Sequence, residues 1–247
     1  VKHYWKLRER RGITYEVAER LMRERNYFGT MLVETGQADA MITGYSHAYP
    51  NAIRPVLEII KKEEGVRRIA AASIMFSKQG PIFLSDATIN INPTAEELAN
   101  IALLTARAVK FFGLEPSVAM LSYSNFGSAV SESSLKVREA VAYLHKNHPD
   151  LVVDGEIQAD FALNPDKIAK NYPFSKLNNG KAANVLIFPN LEAANISYKL
   201  LKETEHLDTI GPVILGLTKP IHVATLGSTV DEMVNLATLA VIQAQSE

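Results

Sequence analysis

Short runs of apolar residues alternate along the chain with longer segments whose apolar positions recur at helical spacing. The short runs have the length of β-strands, and the longer segments have the period of amphipathic α-helices. This alternation predicts an α/β fold with mostly parallel strands. We expect strands at residues 39–45, 68–76, 81–88, 118–124, 152–157, 184–189, 212–217 and 221–225, and helices near residues 15–25, 51–62, 95–112, 132–146, 192–204 and 230–245.

Two of the predicted strands interrupt the parallel pattern. Residues 68–76 and 81–88 are separated only by the short polar linker 77–80, which predicts an antiparallel hairpin.

Breaks in composition near residues 61–68 and near Gly216 mark the boundaries between two lobes. Since ligands of open α/β sheets bind at the carboxyl ends of strands, we look for function in the loops that follow predicted strands: GYSHAYPN, SYSNFGSAVSESS, FPNLEAAN and TLGSTVDE.

Charge and composition narrow the classes of partner. The 26 basic and 27 acidic residues leave a net charge of -1, which argues against nucleic acid or an anionic membrane as a partner. With no cysteine, the chain has no disulfide scaffold, thiolate nucleophile or cysteine zinc site. The six histidines lack metal-ligand spacing, and no early apolar segment resembles a signal peptide. We expect a cytoplasmic protein without a metal site, and the start inside a helix-like pattern predicts a fragment of a longer chain.

Two arginines lie near predicted helix ends. Arg54 directly follows the GYSHAYPN loop, and Arg8 belongs to the helix-like start of the chain. Guanidinium groups beside helix N-terminal amides suit a phosphate-bearing ligand. For each arginine taken alone, a solvated surface charge is the favoured interpretation.

The loop after the predicted strand 118–124 is rich in hydrogen-bonding groups. Ser122 and Ser124, followed by Asn125, Gly127 and Ser128, stand just before a helix. Such a composition suits a cradle for phosphate or pantetheine. The loop lacks the glycine and lysine spacing of nucleotide-binding motifs, so a plain helix-capping loop explains it equally well.

Three acidic residues have an even spacing in the stretch DGEIQAD. Asp154, Glu156 and Asp160 would share one face of a continuous strand. Carboxylates placed in this way hold a metal ion or act as a base, but a solvated edge face is the favoured interpretation.

The start of the last predicted helix combines hydroxyl groups and a carboxylate. Thr225 ends a strand, and Glu232 lies three residues after Thr229, which is the spacing of a capping box. Glu232 is therefore either a capping residue or a chemical group, and the spacing alone does not separate the two.

Six motifs, taken together, resemble the phosphotransacetylase (phosphate acetyl/butyryltransferase) family. Their order and spacing agree with that family over essentially the whole chain, although family members carry a further N-terminal segment. The motifs are GYSHAYPNAIRPVLEIIK, NPTAEELANIALLTARAVKFFG, VAMLSYSNFGS, DGEIQAD, ANVLIFPNLEAANISYKLL and IGPVILGLTKPIHVATLGSTVDEMVN.

The resemblance implies a two-lobed fold similar to isocitrate and isopropylmalate dehydrogenases. Residues 1–64 and 217–247 would form the first lobe, and residues 65–216 the second, dimer-forming lobe. In this family the coenzyme A thiol attacks acetyl phosphate. The carboxylate of an acidic residue removes the thiol proton, a serine orients the thiol, and arginines neutralise the phosphate.

The chain departs from the family pattern at the reactive centre. Where the family has serine, arginine and aspartate, this chain has Thr225, Leu226 and Glu232. Loss of the cation at Leu226 removes a charge-stabilising donor, which typically costs about 10²- to 10³-fold in rate. A hydroxyl pair of the family is replaced by Tyr49–Pro50, and a lysine by Asn171.

With these departures, the sequence resembles the phosphotransacetylase-like C-terminal domain of bacterial NADP-dependent malic enzymes. The resemblance implies a regulatory domain that binds acetyl-CoA or a related acyl-CoA and forms a homodimer or larger oligomer. NADP and Mg²⁺ or Mn²⁺ would serve only a malic enzyme domain outside these residues.

No catalytic residue is expected, with Thr225, Leu226 and Glu232 as vestigial positions. An active phosphate acetyltransferase and a purely structural domain are the alternatives. The implied ligand-binding residues are Arg8, Arg54, Ser122, Ser124, Lys199, Thr225 and Gly227.

Overall fold

The computed structural model describes residues 1–46 and 48–246. His47, in the loop singled out after the first predicted strand, lies outside the described residues. The chain divides into two compact units, one of Val1–Gly65 with Gly211–Glu247 and the other of Val66–Ile210. The boundaries predicted from the sequence lie after residue 64 and before residue 217.

Helices and strands alternate along most of the chain. The helices are α1 (Lys2–Arg8), α2 (Tyr15–Leu21), α3 (Arg25–Glu34), α4 (Tyr49–Ile59), α5 (Ala95–Phe111), α6 (Glu132–Asn147), α7 (Ala159–Ala162), α8 (Pro165–Asn171), α9 (Leu191–Glu205) and α10 (Val230–Gln245). The strands are β1 (Met41–Thr43), β2 (Ala70–Ser77), β3 (Gly80–Ser85), β4 (Ser117–Leu121), β5 (Val152–Ile157), β6 (Val185–Ile187), β7 (Thr209–Leu215) and β8 (Ile221–Val223).

The first unit contains a short parallel strand pair with helices around it. Strands β1 and β8 pair in register from Met41 opposite Ile221 to Thr43 opposite Val223. Strand β8 is fully buried, and α4 and α10 follow β1 and β8 along the chain. This arrangement places two strand-to-helix loops at one edge of the pair.

The second unit contains most of a six-stranded sheet. The strand order is β5-β4-β6-β3-β2-β7, and the unit boundary falls within the edge strand β7. Strands β5, β4, β6 and β3 pair in parallel, whereas β2 and β3 form an antiparallel hairpin. Buried residues of these strands, including Leu84, Ala119 and Leu186, belong to one apolar core cluster. The predictions of an α/β fold with mostly parallel strands and of the hairpin are confirmed.

All eight predicted strands and six predicted helices are present, with ends shifted by a few residues. The predicted helix near residues 15–25 ends earlier, and a separate helix, α3, follows it. The short helices α7 and α8 were not predicted. None of the helices in the described ranges is both long and apolar enough to cross a membrane.

A buried histidine links β8 to its neighbours in the first unit. His222 is completely buried, its Nδ1 accepts a hydrogen bond from the Ile214 N–H at 3.3 Å, and its Nε2 lies 2.7 Å from Gln243 Oε1. This pattern requires the neutral tautomer with its proton on Nε2. Burial lowers the pKa of His222 to about 4, although the bond to Gln243 acts in the opposite direction.

We expect the stability of this unit to fall as the pH decreases from about 6.5 to about 4. In the unfolded chain His222 takes up a proton near pH 6.5, but in the folded chain it does so only near pH 4. The unfolded state therefore binds more protons in this window, which costs on the order of 3 kcal/mol of stability. Urea unfolding at pH 7 and pH 4.5 measures the effect. His222→Gln should remove this part of the pH dependence, and equal pH dependence in both chains would contradict the assignment.

Candidate functional site

The carboxyl ends of β1 and β8 bring two loops together in the first unit. The Thr43 carbonyl accepts a hydrogen bond from the Ala224 N–H at 2.7 Å. Gly44 has φ +109°, and a Cβ there would lie 2.3 Å from the Ala224 carbonyl oxygen. This position requires glycine because a side chain would meet the backbone of the other loop. The contact sets the spacing between the two loops.

The loop after β8 carries the positions predicted to be vestigial. Thr225 is half-buried, and its hydroxyl lies 3.3 Å from that of Ser228. Leu226 is 66% exposed, and Gly227 has open space where a side chain would be. Residues 224–230 include no cationic side chain. An anionic group bound at this loop would have to take its counter-charge from another segment.

Glu232 completes a capping box at the start of α10. The Thr229 N–H donates to Glu232 Oε2 at 2.9 Å, and the Glu232 N–H donates to Thr229 Oγ1 at 3.2 Å. The side chain is buried. The capping interpretation is confirmed, whereas a role of Glu232 as a base stays a prediction.

Arg54 lines an open depression of about 470 Å³ in the first unit. The lining includes Arg23 and Arg25, while Glu24 supplies a single carboxylate among the described lining residues. Arg23 is paired with Glu19 at 3.3 Å, but Arg54 forms no ion pair within the described parts of the chain. A depression with an excess of guanidinium groups suits a phosphate or carboxylate ligand.

The depression adjoins the carboxyl end of β1. Its lining includes Asn26 and Asn51, and Asn26 Oδ1 accepts a hydrogen bond from the Thr43 hydroxyl at 2.6 Å. Asn26 therefore joins the depression to the last residue of the strand. The amide groups add neutral donors beside the cations.

Arg8 belongs to a hydrogen-bonded cluster centred on Glu58. The Tyr4 and Tyr27 hydroxyls donate to Glu58 Oε2 at 2.8 and 2.9 Å, and Arg8 Nη2 lies 3.8 Å from Glu58 Oε1. Burial and the neighbouring Glu58 raise the pKa of both tyrosines, that of Tyr27 to about 12. The buried Nε of Arg8 has no hydrogen-bond partner among the described residues. Arg54 lies one helical turn from Glu58, so this cluster links Arg8 to the helix that carries Arg54.

The carboxyl ends of four parallel strands share one edge in the second unit. Ser122 directly follows β4, is half-buried and accepts a hydrogen bond from the Ser124 N–H at 3.2 Å. Ser124 is completely buried, donates to Glu156 Oε1 at 3.1 Å and accepts from the Ala129 N–H at 3.0 Å. Ligand contact by Ser124 stays a prediction, and its burial argues against it.

Glu156 is the buried centre of this edge. Its Oε1 accepts hydrogen bonds from Ser124, from the Gly127 N–H at 2.7 Å and from Arg138 at 3.0 Å. Burial alone would raise the pKa of Glu156, but these donors outweigh it and lower the pKa. The carboxylate thus remains charged and holds the Ser122–Ser128 loop to α6.

The three acidic residues of DGEIQAD do not form a solvated face, and that prediction is wrong. Asp154 and Glu156 are buried, and Asp154 Oδ2 accepts hydrogen bonds from the Ser175 hydroxyl and the Lys176 N–H, both at 2.8 Å. Asp160 lies beyond the strand in α7, where it is paired with Lys167 at 2.7 Å. The strand ends before Asp160, so its alternation does not extend that far.

Lys199 is exposed on α9, with its Nζ 5.6 Å from the centre of the Tyr198 ring. A ligand contact by Lys199 remains a prediction. Within the described residues no group of three or more histidine, aspartate or glutamate side chains is placed to hold a metal ion.

Several site residues were not anticipated from the sequence. Arg25, Asn26 and Asn51 share the depression with Arg54. The side-chain positions of Arg138 and Glu58 depend on ion pairs with residues of other elements of the chain. Only Arg25 and Asn26 had a local signal, as polar residues immediately before an apolar segment.

Comparison with known proteins agrees with this architecture. The family described as phosphate acetyl/butaryl transferase matches residues 1–241. The chain is 38% identical to the NADP-dependent malic enzyme of Haemophilus influenzae over 247 residues, which is all of this chain but 32% of that protein. It is also 38% identical to the phosphate acetyltransferase of Clostridium acetobutylicum, covering 99% of this chain and 75% of that one.

A solved structure shows the same fold. A phosphotransacetylase from Streptococcus pyogenes superposes with a TM-score of 0.90 and 38% identity, covering 100% of this chain and 75% of that chain. The match thus extends over both units rather than a single motif. The chain belongs to the phosphate acetyl/butaryl transferase family.

Proposed function

We propose that this chain is a non-catalytic regulatory domain of an NADP-dependent malic enzyme that binds acetyl-CoA as an allosteric effector. The observation that carries the proposal is Leu226, an exposed apolar side chain on a loop without any cation, where the resemblance implies an arginine. A phosphoryl group reacting at this loop would lack a preorganised positive charge. Binding without turnover is the behaviour that such a loop favours.

The arginines support retained binding of an anionic ligand. Arg54 stands in a cationic depression without an ion-pair partner among the described residues, and Arg8 is held in place by Glu58. Acetyl-CoA carries phosphate groups that such guanidinium groups recognise. Ser122, Lys199, Thr225 and Gly227 are the further proposed contacts.

The parent enzyme would decarboxylate malate oxidatively to pyruvate in the cytoplasm. The chain spans about a third of the malic enzyme of Haemophilus influenzae, and under this proposal the oxidative decarboxylation would be carried out by residues outside this chain. NADP and Mg²⁺ or Mn²⁺ would bind there. The present domain would contribute a homodimer contact through the second unit, and larger oligomers would form in the whole enzyme. An isocitrate dehydrogenase-like arrangement of two lobes is part of the proposal.

The effector hypothesis predicts that Arg54→Met weakens acetyl-CoA binding by roughly 10- to 100-fold, the usual worth of one charged hydrogen-bonding group. Isothermal titration calorimetry on the purified chain measures the affinity. Arg20→Met is the matched control, because Arg20 is an exposed arginine of the same unit outside the depression. No binding by the unsubstituted chain up to millimolar acetyl-CoA would overturn the proposal.

The second candidate is an active phosphate acetyltransferase, which forms acetyl phosphate and CoA from acetyl-CoA and phosphate. It is favoured by 38% identity over 75% of the Clostridium acetobutylicum enzyme and by the hydroxyl of Thr225 and the carboxylate of Glu232. A coupled assay of acetyl-CoA formation from acetyl phosphate separates the two candidates. Turnover comparable with the Clostridium enzyme would establish the second.

A further inference from the structure

The guanidinium of Arg138 is held by a carboxylate that is itself inaccessible to solvent. Arg138 Nε donates to Glu156 Oε2 at 3.2 Å, and Nη2 donates to Oε1 at 3.0 Å. The Glu156 side chain is 1% exposed, whereas the Arg138 side chain is 44% exposed. The two-point contact fixes both the position and the plane of the guanidinium. One side of this cation is anchored, and the other side reaches solvent.

Arg138 retains unused hydrogen-bonding capacity. A guanidinium has five N–H donors, and Glu156 accepts two of them. Within the described part of the chain Arg138 makes no other hydrogen bond. The remaining donors are available to an anion that approaches from solvent.

Arg138 lies beside the loop that follows β4, at the carboxyl edge of the parallel strands. Its guanidinium packs against Gly127, where a Cβ would lie 3.1 Å from Nη2, in the loop that begins with Ser122. This loop leaves the carboxyl end of β4, and Glu156 lies near the carboxyl end of the adjacent parallel strand β5. Ligands of parallel α/β sheets bind at this edge.

Stability alone is a poor explanation for this pair. Burying a carboxylate has a large desolvation cost, and an apolar pair of similar volume is often equally stable or more stable. A buried carboxylate that fixes the orientation of a half-exposed cation is instead typical of a site in which the cation binds a ligand.

We infer that Arg138 contacts an anionic group of the bound acyl-CoA and that Glu156 is the positioning residue that fixes the Arg138 guanidinium. The inference rests on the proposed function. The group recognised is a phosphate, either the diphosphate or the 3′-phosphate of the coenzyme. Arg138 would then be the cation beside the Ser122 loop.

The test is calorimetric titration of the purified chain with acetyl-CoA. The double variant Arg138→Met with Glu156→Gln removes both charges, so no unpaired charge is buried. We expect its affinity to fall roughly 10- to 100-fold. Arg138→Lys, which keeps a charge but loses the planar fork, should fall by a smaller factor. Lys146→Met is the control because it removes a cation from the far end of the same helix.

The outcomes separate a binding role from a structural one. Weaker binding of both acetyl-CoA and 3′-dephospho-acetyl-CoA supports contact with the diphosphate, and weaker binding of acetyl-CoA alone supports contact with the 3′-phosphate. A lower melting temperature with unchanged affinity in the double variant and in Arg138→Lys would overturn this inference and leave the proposed function intact. Absence of acetyl-CoA binding by the unsubstituted chain would overturn both.

Discussion

Replacing Gly44 with alanine should lower the free energy of unfolding of the first unit by roughly 4 kcal/mol. The new Cβ would lie 2.3 Å from the Ala224 carbonyl oxygen and 2.7 Å from Val223 Cγ1. The backbone oxygen cannot rotate away, so one of the two loops must move. A φ of +109° adds a conformational cost for any residue with a side chain. Both terms act on the short strand pair β1–β8.

Gly36→Ala is the matched control for Gly44→Ala. Gly36 belongs to the same unit and has φ +71°, but a Cβ there would meet nothing within 4 Å. Gly36→Ala should therefore cost only about 1 kcal/mol. Chemical denaturation of both variants measures the difference. Equal destabilisation would show that the close approach of the two loops does not determine the cost at Gly44.

Prediction from sequence succeeded where local signals are strong. The capping-box spacing of Thr229 and Glu232 marked the start of α10 correctly. Helix α3 was missed because it contains Gly29, lacks a capping side chain at Glu24 and has only weak amphipathicity. Local propensity carries little information for such a segment, whose tertiary packing stabilises it.

The site was less predictable because its geometry depends on contacts between distant residues. Arg54 could be proposed from its position after a loop, but its depression includes residues about 30 positions earlier in the chain. Glu58 receives hydrogen bonds from Tyr4 and Tyr27, which are 54 and 31 residues away. The even spacing in DGEIQAD predicted one shared face, but the strand ends before Asp160. Periodicity does not show where an element ends.

Replacing Leu226 with arginine should raise acetyltransferase activity by roughly 10²-fold, since one charge-stabilising donor contributes about this much. Leu226 is 66% exposed and is followed by Gly227, so the longer side chain fits without repacking the core. The new cation would supply the positive charge that residues 224–230 lack. Thr225 and Glu232 keep a hydroxyl and a carboxylate on this segment, and the family resemblance implies an arginine as the third group. The initial rate of acetyl-CoA formation from acetyl phosphate and CoA measures the gain.

A nearby cation provides the control for Leu226→Arg. Val230 is 78% exposed at the first turn of α10, so Val230→Arg adds the same charge four residues away with little structural change. If Leu226→Arg accelerates the reaction and Val230→Arg does not, the position of the cation limits catalysis, as expected for preorganised charge. An unchanged low rate in Leu226→Arg would mean that Thr225 or Glu232 limits the reaction instead. A high rate in the unsubstituted chain would show that this loop needs no arginine and would contradict a purely regulatory role.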